Sequence, residues 1–157
     1  MRVGLGFDAH AFEEGRPLVL GGISIPGHAG LAGHSDADVL SHAIGDALLG
    51  ASNLGDLGGM FPASERWKDA SSLDILREIA VAVTRAGCEI VNVDATVIAQ
   101  QPKLSPHASR MRSNIGDALG IAGGAVSVKA TSTDHLGFTG RGEGIAALAV
   151  ALVQPLV

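Results

Sequence analysis

The chain has 157 residues, 46% of them hydrophobic, which predicts one compact domain spanning residues 1–157. Its 11 basic and 16 acidic residues give a net charge of -5, and aromatic residues make up only 3%, so no nucleic-acid partner is expected. A single cysteine excludes an internal disulfide and a cysteine-rich zinc cluster.

The N-terminus lacks the apolar stretch of a secretory signal, and the longest apolar run, residues 145–153, is about half of a membrane span. We therefore expect no membrane partner and a bacterial-type cytoplasmic location without signal or transit peptide. The positive mean hydropathy of +0.32 in so glycine-rich a chain predicts apolar surface buried between subunits. A homo-oligomer is expected.

The first half of the chain begins with alternation over residues 2–10, which predicts a half-buried strand. Val3, Leu5, Phe7 and Ala9 share one of its faces, and the other carries Gly4, Gly6, Asp8 and His10. A hairpin is predicted at 18–25, and Ser35 is predicted to cap a helix over 36–50. Residues 53–68 are expected to form a loop.

The second half alternates helices and strands. Apolar periodicity, proline and glycine signals predict helices over 71–86 and 106–119, strands over 89–99, 126–132 and 145–153, and a glycine-rich loop over 134–144. The final strand contains four alanines, which would equally suit a helix. This order predicts a layered α/β or α+β sandwich, with a mixed sheet packed on one face by three helices.

A divalent-metal site is predicted from three residues. Asp8 and His10 lie two apart on a strand, so their side chains leave the same face. His42 on the following helix would complete a set of ligands that zinc accepts with one position left open. Asp46, one turn beyond, is placed to orient the imidazole. The alternative is that Asp8 and His10 form an exposed strand face and His42 is a surface helix residue.

Further segments carry groups suited to phosphates and sugars. His34 and Ser35 precede the metal helix, where free N–H groups favour an anion, although a Ser there is commonly only a cap. The tract 129–134 ends a strand in hydroxyl residues and Asp134, directly before the glycine-rich loop. Hydroxyls and a carboxylate clustered in this way indicate a site for phosphate and magnesium, and the alternative is that they are ordinary strand and turn residues. Asp56 is suited to bind sugar hydroxyls, and the loop 99–105 is suited to a flat base. Taken alone, both segments are more commonly simple turns.

Five blocks together resemble the 2-C-methyl-D-erythritol 2,4-cyclodiphosphate synthase family: GFDAH (6–10), HSDADVLSHA (34–43), GDLG (55–58), VDATVIAQQPK (93–103) and VKATSTDHLGFTGRGEGIA (128–146). The resemblance covers nearly the whole chain in order. It implies a homotrimer with active sites between subunits, and a lyase of non-mevalonate isoprenoid biosynthesis. That enzyme converts 4-diphosphocytidyl-2-C-methyl-D-erythritol 2-phosphate to the 2,4-cyclodiphosphate and CMP.

The resemblance also implies roles for individual positions. Zinc would be held by Asp8, His10 and His42. Asp134 would hold a Mg²⁺ or Mn²⁺ ion that bridges the phosphates. His34 and Ser132 would stabilise the transition state. The methylerythritol phosphate and ribose would contact Ser35, Asp56, Leu57, Gly58, Phe61, Pro62, Ala63, Ser64 and Glu65. Cytosine would contact Ala99, Gln100, Gln101, Pro102, Lys103, Leu104 and Ser105, and the phosphates Thr131, Ser132, Thr133, Asp134, Phe138 and Arg141.

The sequence departs from the family pattern at a few of these positions. The family commonly has Asp-Thr-Asp where Ala63, Ser64 and Glu65 stand, which removes a contact from position 63. Ser132 replaces a Thr and keeps its hydroxyl; Asp134 replaces a Glu on a shorter arm, so magnesium geometry is expected to shift.

Two other functions fit parts of the pattern. A metallophosphoesterase also opens with Asp-x-His and carries a later Gly-Asp, but it needs an Asn-His pair, which this chain lacks. A non-catalytic trimeric protein that binds metal and an isoprenoid or nucleotide would share the zinc and the trimer without turnover.

Overall fold

The computed structural model describes residues 1–157. The strands are β1 (Arg2–Glu13), β2 (Leu18–Leu20), β3 (Ile23–Ile25), β4 (Gly30–Leu31), β5 (Cys88–Ile98), β6 (Val126–Thr131) and β7 (Gly144–Pro155). The helices are α1 (Val39–Ser52), the single turn α2 (Leu57–Met60), α3 (Ser72–Arg85), α4 (Ala108–Leu119) and the single turn α5 (Gly137–Gly140). Short 3₁₀ turns lie at Glu65–Trp67, Ser105–His107 and Gly123–Ala125.

Five strands form one sheet in the order β4-β1-β7-β5-β6, and β2 and β3 form a separate hairpin. Only the β5–β6 pair is parallel, so the sheet is mixed as predicted. The three long helices α1, α3 and α4 pack on the sheet, and a single cluster of buried residues lies between these layers. The predicted α+β sandwich is confirmed.

The face of β1 that packs on the helices is its glycine face. A methyl group at Gly4 would overlap the carbonyl oxygen of Ala47, and one at Gly6 that of Ala43, so α1 lies directly on the backbone of β1. The strand β7 continues this surface with alanines, Ala147, Ala149 and Ala151, all buried. Small side chains on both strands therefore allow the helix to approach closely.

The opposite face of the sheet is apolar and open. Its large side chains are exposed to 39–69%: Val3, Leu5, Phe7, Leu148 and Val150. The pairing of Phe7 with Leu148 and of Leu5 with Val150 makes these residues one continuous patch, called here the open face. None of the helices is long and apolar enough to span a membrane.

Some predicted boundaries were wrong. The N-cap of α1 is Asp38, whose carboxylate accepts a hydrogen bond from Ser41 N, and not Ser35. Ala37 adopts a positive φ of 55°, which turns the chain just before the helix. The predicted loops 53–68 and 134–144 contain the single turns α2 and α5, too short for a periodic pattern. The alanine-rich last segment is a strand, as predicted.

Candidate active site

The residues predicted to bind metal converge at one point. Asp8 and His10 extend from β1, and His42 reaches them from the first turns of α1. Asp8 Oδ2 lies 2.8 Å from His10 Nε2 and 3.0 Å from His42 Nδ1, and the two nitrogens are 3.2 Å apart. His42 is buried and the other two are half-buried, so the alternative of an exposed strand face and a surface histidine is wrong.

The electrostatics of this cluster centre on one carboxylate between two imidazoles. Burial by itself raises the pKa of Asp8, but hydrogen bonds from His10 and His42 outweigh it and lower that pKa below its usual range. Burial opposes protonation of His10, yet its pKa is raised because the ring faces the Asp8 carboxylate and hydrogen-bonds to Ala32. Asp8 is therefore ionised at neutral pH, and its carboxylate supplies the negative charge that attracts a cation.

The donor set fits a divalent metal. His10 Nδ1 donates to the Ala32 carbonyl oxygen over 2.5 Å, so Nε2, the nitrogen that faces Asp8 and His42, is the one that would give up its proton and present a lone pair to a metal. Ligand atoms about 2.0–2.2 Å from a tetrahedral ion lie roughly 3.3–3.6 Å from one another, so the spacings of 2.8, 3.0 and 3.2 Å found here need to widen by only a few tenths of an ångström. One carboxylate and two imidazoles leave a fourth position for another ligand.

The partners of the other His42 nitrogen differ from the prediction. His42 Nε2 lies 2.9 Å from Ser72 Oγ and 3.2 Å from Ser35 Oγ. Asp46 instead accepts a 2.7 Å hydrogen bond from Leu57 N, so the predicted role of Asp46 in orienting the His42 ring is wrong. Ser72 was missed because it is 30 residues from His42 and has no local motif.

The segment beside the metal cluster holds the other residues expected to contact methylerythritol and ribose. His34 Nε2 donates to the Ser64 carbonyl oxygen over 2.7 Å, which connects the segment 61–65 to the chain before α1. Asp56 caps α2 through Gly59 N at 2.8 Å, and its side chain is otherwise exposed. Phe61 packs edge-on against Trp67 with ring centroids 4.8 Å apart. Leu57, Gly58, Pro62, Ala63 and Glu65 lie in the same stretch.

A second cluster lies at the ends of β5 and β6. The loop 99–105 and residues 130–132 line a single cavity of about 350 Å³, which brings together Ala99, Gln100, Gln101, Pro102, Lys103, Leu104, Ser105, Thr131 and Ser132. Gln100 also accepts a 3.1 Å hydrogen bond from His135 N, so the loop and the tract after β6 are directly joined. The residues expected to hold cytosine thus share one cavity with Thr131 and Ser132, two of the residues expected to hold phosphates.

Within the tract after β6, the hydroxyls are used differently. Ser132 Oγ is exposed and donates weakly to Asp134 Oδ1 at 3.3 Å. Thr133 instead donates to the Leu136 carbonyl oxygen over 2.6 Å, so this hydroxyl stabilises the turn. Asp134 has a positive φ of 50°, and its carboxylate is exposed.

Beyond this tract lie Phe138 and Arg141. Phe138 on α5 is 41% exposed. Arg141 makes two 3.1 Å contacts with Glu143, and this hydrogen bonding raises the pKa of the guanidinium. Arg141, which is predicted to bind phosphate, is therefore already paired with Glu143.

The two clusters lie at the same end of the sheet but on different strands. Ala9, Ala146, Ile98 and Thr131 are neighbours in one row across β1, β7, β5 and β6. Three strand spacings of about 4.8 Å separate the first from the last, roughly 14 Å. The metal ligands do not line the cavity of the second cluster.

Comparisons with known proteins point to one family. The YgbB family model matches residues 1–154. The synthase called 2-C-methyl-D-erythritol 2,4-cyclodiphosphate synthase from Syntrophomonas wolfei subsp. wolfei is 57% identical over 98% of this chain and 99% of its own length. The protein of the same name from Salinibacter ruber is 56% identical, with the same two coverages.

Solved structures agree over the whole fold. The bifunctional IspDF from Campylobacter jejuni is 42% identical with a TM-score of 0.95 over 99% of this chain, which spans 42% of that protein. The CDP complex of IspF from Plasmodium falciparum is 33% identical with a TM-score of 0.86, over 99% of this chain and 97% of that one. Because the family model and near-full-length relatives agree with the fold, the chain belongs to the YgbB family.

Proposed function

We propose that this protein converts 4-diphosphocytidyl-2-C-methyl-D-erythritol 2-phosphate to 2-C-methyl-D-erythritol 2,4-cyclodiphosphate with release of CMP. The observation that carries the proposal is the Asp8–His10–His42 cluster, kept within a chain that matches synthases of this name over 98% of its length. It is a lyase of isoprenoid biosynthesis, and we expect it to act in the cytoplasm.

The reaction needs the side chains to align the reacting phosphates, and it needs no nucleophile or leaving group from the protein. An oxygen of the 2-phosphate forms a bond to the β-phosphorus, and the bond from that phosphorus to the oxygen bridging to the α-phosphorus breaks. The bridging oxygen leaves with CMP, so nucleophile and leaving group both come from the substrate. Holding such groups in line and neutralising their charge provides most of the catalysis of phosphoryl transfer.

Asp8, His10 and His42 are proposed to hold zinc. When bound, zinc supplies positive charge to a phosphate oxygen and fixes its position. His42 is buried at 8% exposure, which excludes most water from that side of the site. Asp134, whose carboxylate is exposed, is the proposed ligand of a Mg²⁺ or Mn²⁺ ion that neutralises the diphosphate.

His34 and Ser132 are proposed to stabilise the transition state by donating hydrogen bonds to phosphoryl oxygens, which for a neutral His34 would require the ring to leave the Ser64 carbonyl oxygen. Both side chains are exposed: His34 directly precedes Ser35, whose Oγ lies 3.2 Å from His42 Nε2, and Ser132 lines the cavity. Ser35, Asp56–Gly58 and Phe61–Glu65 are proposed to bind the methylerythritol phosphate and ribose. Ala63 offers no carboxylate or hydroxyl, so that contact depends on its neighbours.

The cavity of about 350 Å³ is the proposed site of the cytosine and its diphosphate. The loop Ala99–Ser105 supplies backbone groups to the base, while Thr131–Asp134, Phe138 and Arg141 surround the phosphates. Binding of phosphates by Arg141 would require the guanidinium to leave Glu143. The CDP complex of the Plasmodium falciparum relative supports a cytidine nucleotide as ligand.

A homotrimer with sites between subunits is proposed because each chain holds the two clusters apart. The open face supplies apolar area for subunits to bury, and the metal cluster of one subunit would then face the nucleotide cavity of its neighbour. This arrangement accounts for two half-sites at one end of the sheet that share no cavity.

The proposal is tested by incubating zinc-loaded protein with the cytidine substrate and magnesium and following ³¹P NMR. We expect CMP and a cyclic diphosphate in equal amounts. His42→Ala should fold, lose zinc and lose product formation, whereas His28→Ala, an exposed histidine, should keep both. Zinc-loaded trimer that forms neither product, or full zinc content in His42→Ala, would contradict the proposal.

A further inference from the structure

We infer that Ser72 and Asp36 form a hydrogen-bonded chain that positions the metal ligand His42. The inference rests on the proposed role of His42 as a ligand and concerns the ring nitrogen that faces away from the cluster. Ser72 is the first residue of α3 and is 1% exposed. Its hydroxyl lies 2.9 Å from His42 Nε2 and also donates to Asp36 Oδ1.

The direction of these hydrogen bonds follows from where the ligand atoms lie. His42 Nδ1 faces Asp8 and His10, so a metal takes the lone pair of that nitrogen. A neutral imidazole must then carry its proton on Nε2. Nε2–H therefore donates to Ser72 Oγ, and the single Ser72 O–H donates onward to the Asp36 carboxylate.

Ser35 also lies near Nε2, but it is the weaker partner. Its Oγ is 3.2 Å away and already accepts from Ala37 N at 3.2 Å, whereas Ser72 Oγ is 2.9 Å away. One N–H makes one strong hydrogen bond, so Ser72 takes it. The Ser35 hydroxyl is then free to turn toward a substrate phosphate while His42 stays oriented.

Asp36 is itself held in place on both carboxylate oxygens. Oδ2 accepts a 2.9 Å hydrogen bond from Ser72 N, and Oδ1 accepts one of 3.2 Å from Asp38 N. Its backbone N–H donates to the Ala70 carbonyl oxygen over 3.1 Å. The carboxylate therefore cannot follow a displaced His42, and it fixes the Ser72 hydroxyl between two defined positions.

Ser72→Ala tests the role of Ser72 as a positioning residue. Loss of such a hydrogen bond to a metal-binding histidine typically weakens metal affinity about 10- to 100-fold, and we expect a loss in that range. Zinc affinity is measured by competition with a chromophoric chelator, without substrate. Ser52→Ala is the matched control, because Ser52 is also buried, lies on the same helix as His42 and has a hydroxyl without a partner. Its zinc affinity should be unchanged.

Asp36→Asn provides a second test that does not touch His42. The amide keeps the shape but offers one acceptor oxygen where the carboxylate offers two, so zinc affinity should fall, though less than in Ser72→Ala. In Ser72→Ala/Asp36→Asn the two losses should not add, since both act through one chain. In ¹⁵N NMR, zinc-loaded wild type should show the His42 proton on Nε2.

The inference is overturned if Ser72→Ala binds zinc as tightly as Ser52→Ala, if the two losses are additive, or if the His42 proton lies on Nδ1. A purely structural role for Ser72 would lower the melting temperature of the metal-free protein and leave zinc affinity unchanged. Failure of the proposed synthase function is a separate result, because it appears as absent turnover in wild type that binds zinc normally.

Discussion

At the scale of single residues, the buried carboxylate of Asp38 connects the hairpin to the metal helix. It accepts hydrogen bonds of 3.0, 2.9 and 3.1 Å from the backbone N–H groups of Gly21, Gly22 and Ser41. Burial and the charge of Asp36 raise the pKa of Asp38, but these donors offset part of that rise. Asp38 thereby fixes the start of α1 one turn before His42.

Asp38→Ala is expected to lower the free energy of unfolding by about 3 kcal/mol, because it leaves two buried N–H groups and one half-buried N–H group without an acceptor. Urea unfolding followed by circular dichroism measures the change. The control is Asp74→Ala, which removes an exposed carboxylate paired with Arg77 and should cost less than about 1 kcal/mol. Equal effects of the two substitutions would refute the structural role of Asp38.

The metal ligands could be predicted from the sequence, but their supports could not. The two-residue period of a strand is enough to place Asp8 and His10 on one face, and His42 lies on the next helix. The partner of His42 depends on how α3 meets the chain before α1, a contact between distant segments without a local pattern. Spacing along one helix therefore suggested Asp46, whereas tertiary packing supplies Ser72.

At the scale of elements, the close approach of α1 to β1 holds the ligands together. Gly4 and Gly6 leave room for the backbone of α1, and the same strand carries Asp8 and His10 two and four residues beyond Gly6. The four alanines that made the last segment ambiguous have the same explanation, since three of them face the core from β7. Small residues here reflect packing distance rather than helix propensity.

Gly6→Ala should destabilise the fold by about 1–3 kcal/mol or more, because its methyl group would overlap the Ala43 carbonyl oxygen and push β1 from α1. Zinc affinity should fall as well. Gly50 lies on α1 with nothing near the position of an added methyl group, so Gly50→Ala should instead raise the free energy of unfolding by about 0.5–1 kcal/mol. Thermal unfolding and zinc titration measure both; a Gly6→Ala protein as stable as wild type would contradict this account.

At the scale of the whole molecule, the open face is the least expected feature of a single chain. Phe7 is 55% and Leu5 69% exposed although they alternate with buried glycines, so the larger side chains of β1 point away from the core. Hydropathy predicted buried surface between subunits, but alternation alone did not say which face of β1 meets the helices. The glycine face meets α1 because it has no side chains that would hold the helix backbone away.

Phe7→Glu should dissociate the proposed trimer, because it would place a carboxylate in each copy of a desolvated apolar interface. Analytical ultracentrifugation should find wild type at three times the chain mass of 15.8 kDa and the variant near one. Val81→Glu, at an exposed apolar position on α3 away from the open face, should stay trimeric. A Phe7→Glu trimer, or a monomeric wild type, would contradict the assembly.

The metal cluster is proposed to align a phosphate for ring closure and not to activate water. Turnover in H₂¹⁸O, with CMP and the cyclic diphosphate examined by mass spectrometry, tests this claim most directly. Because the attacking oxygen belongs to the substrate, neither product should carry solvent oxygen. One ¹⁸O atom in either product at the moment of release would mean that water attacks phosphorus, and the protein would then be a metal-dependent phosphoesterase.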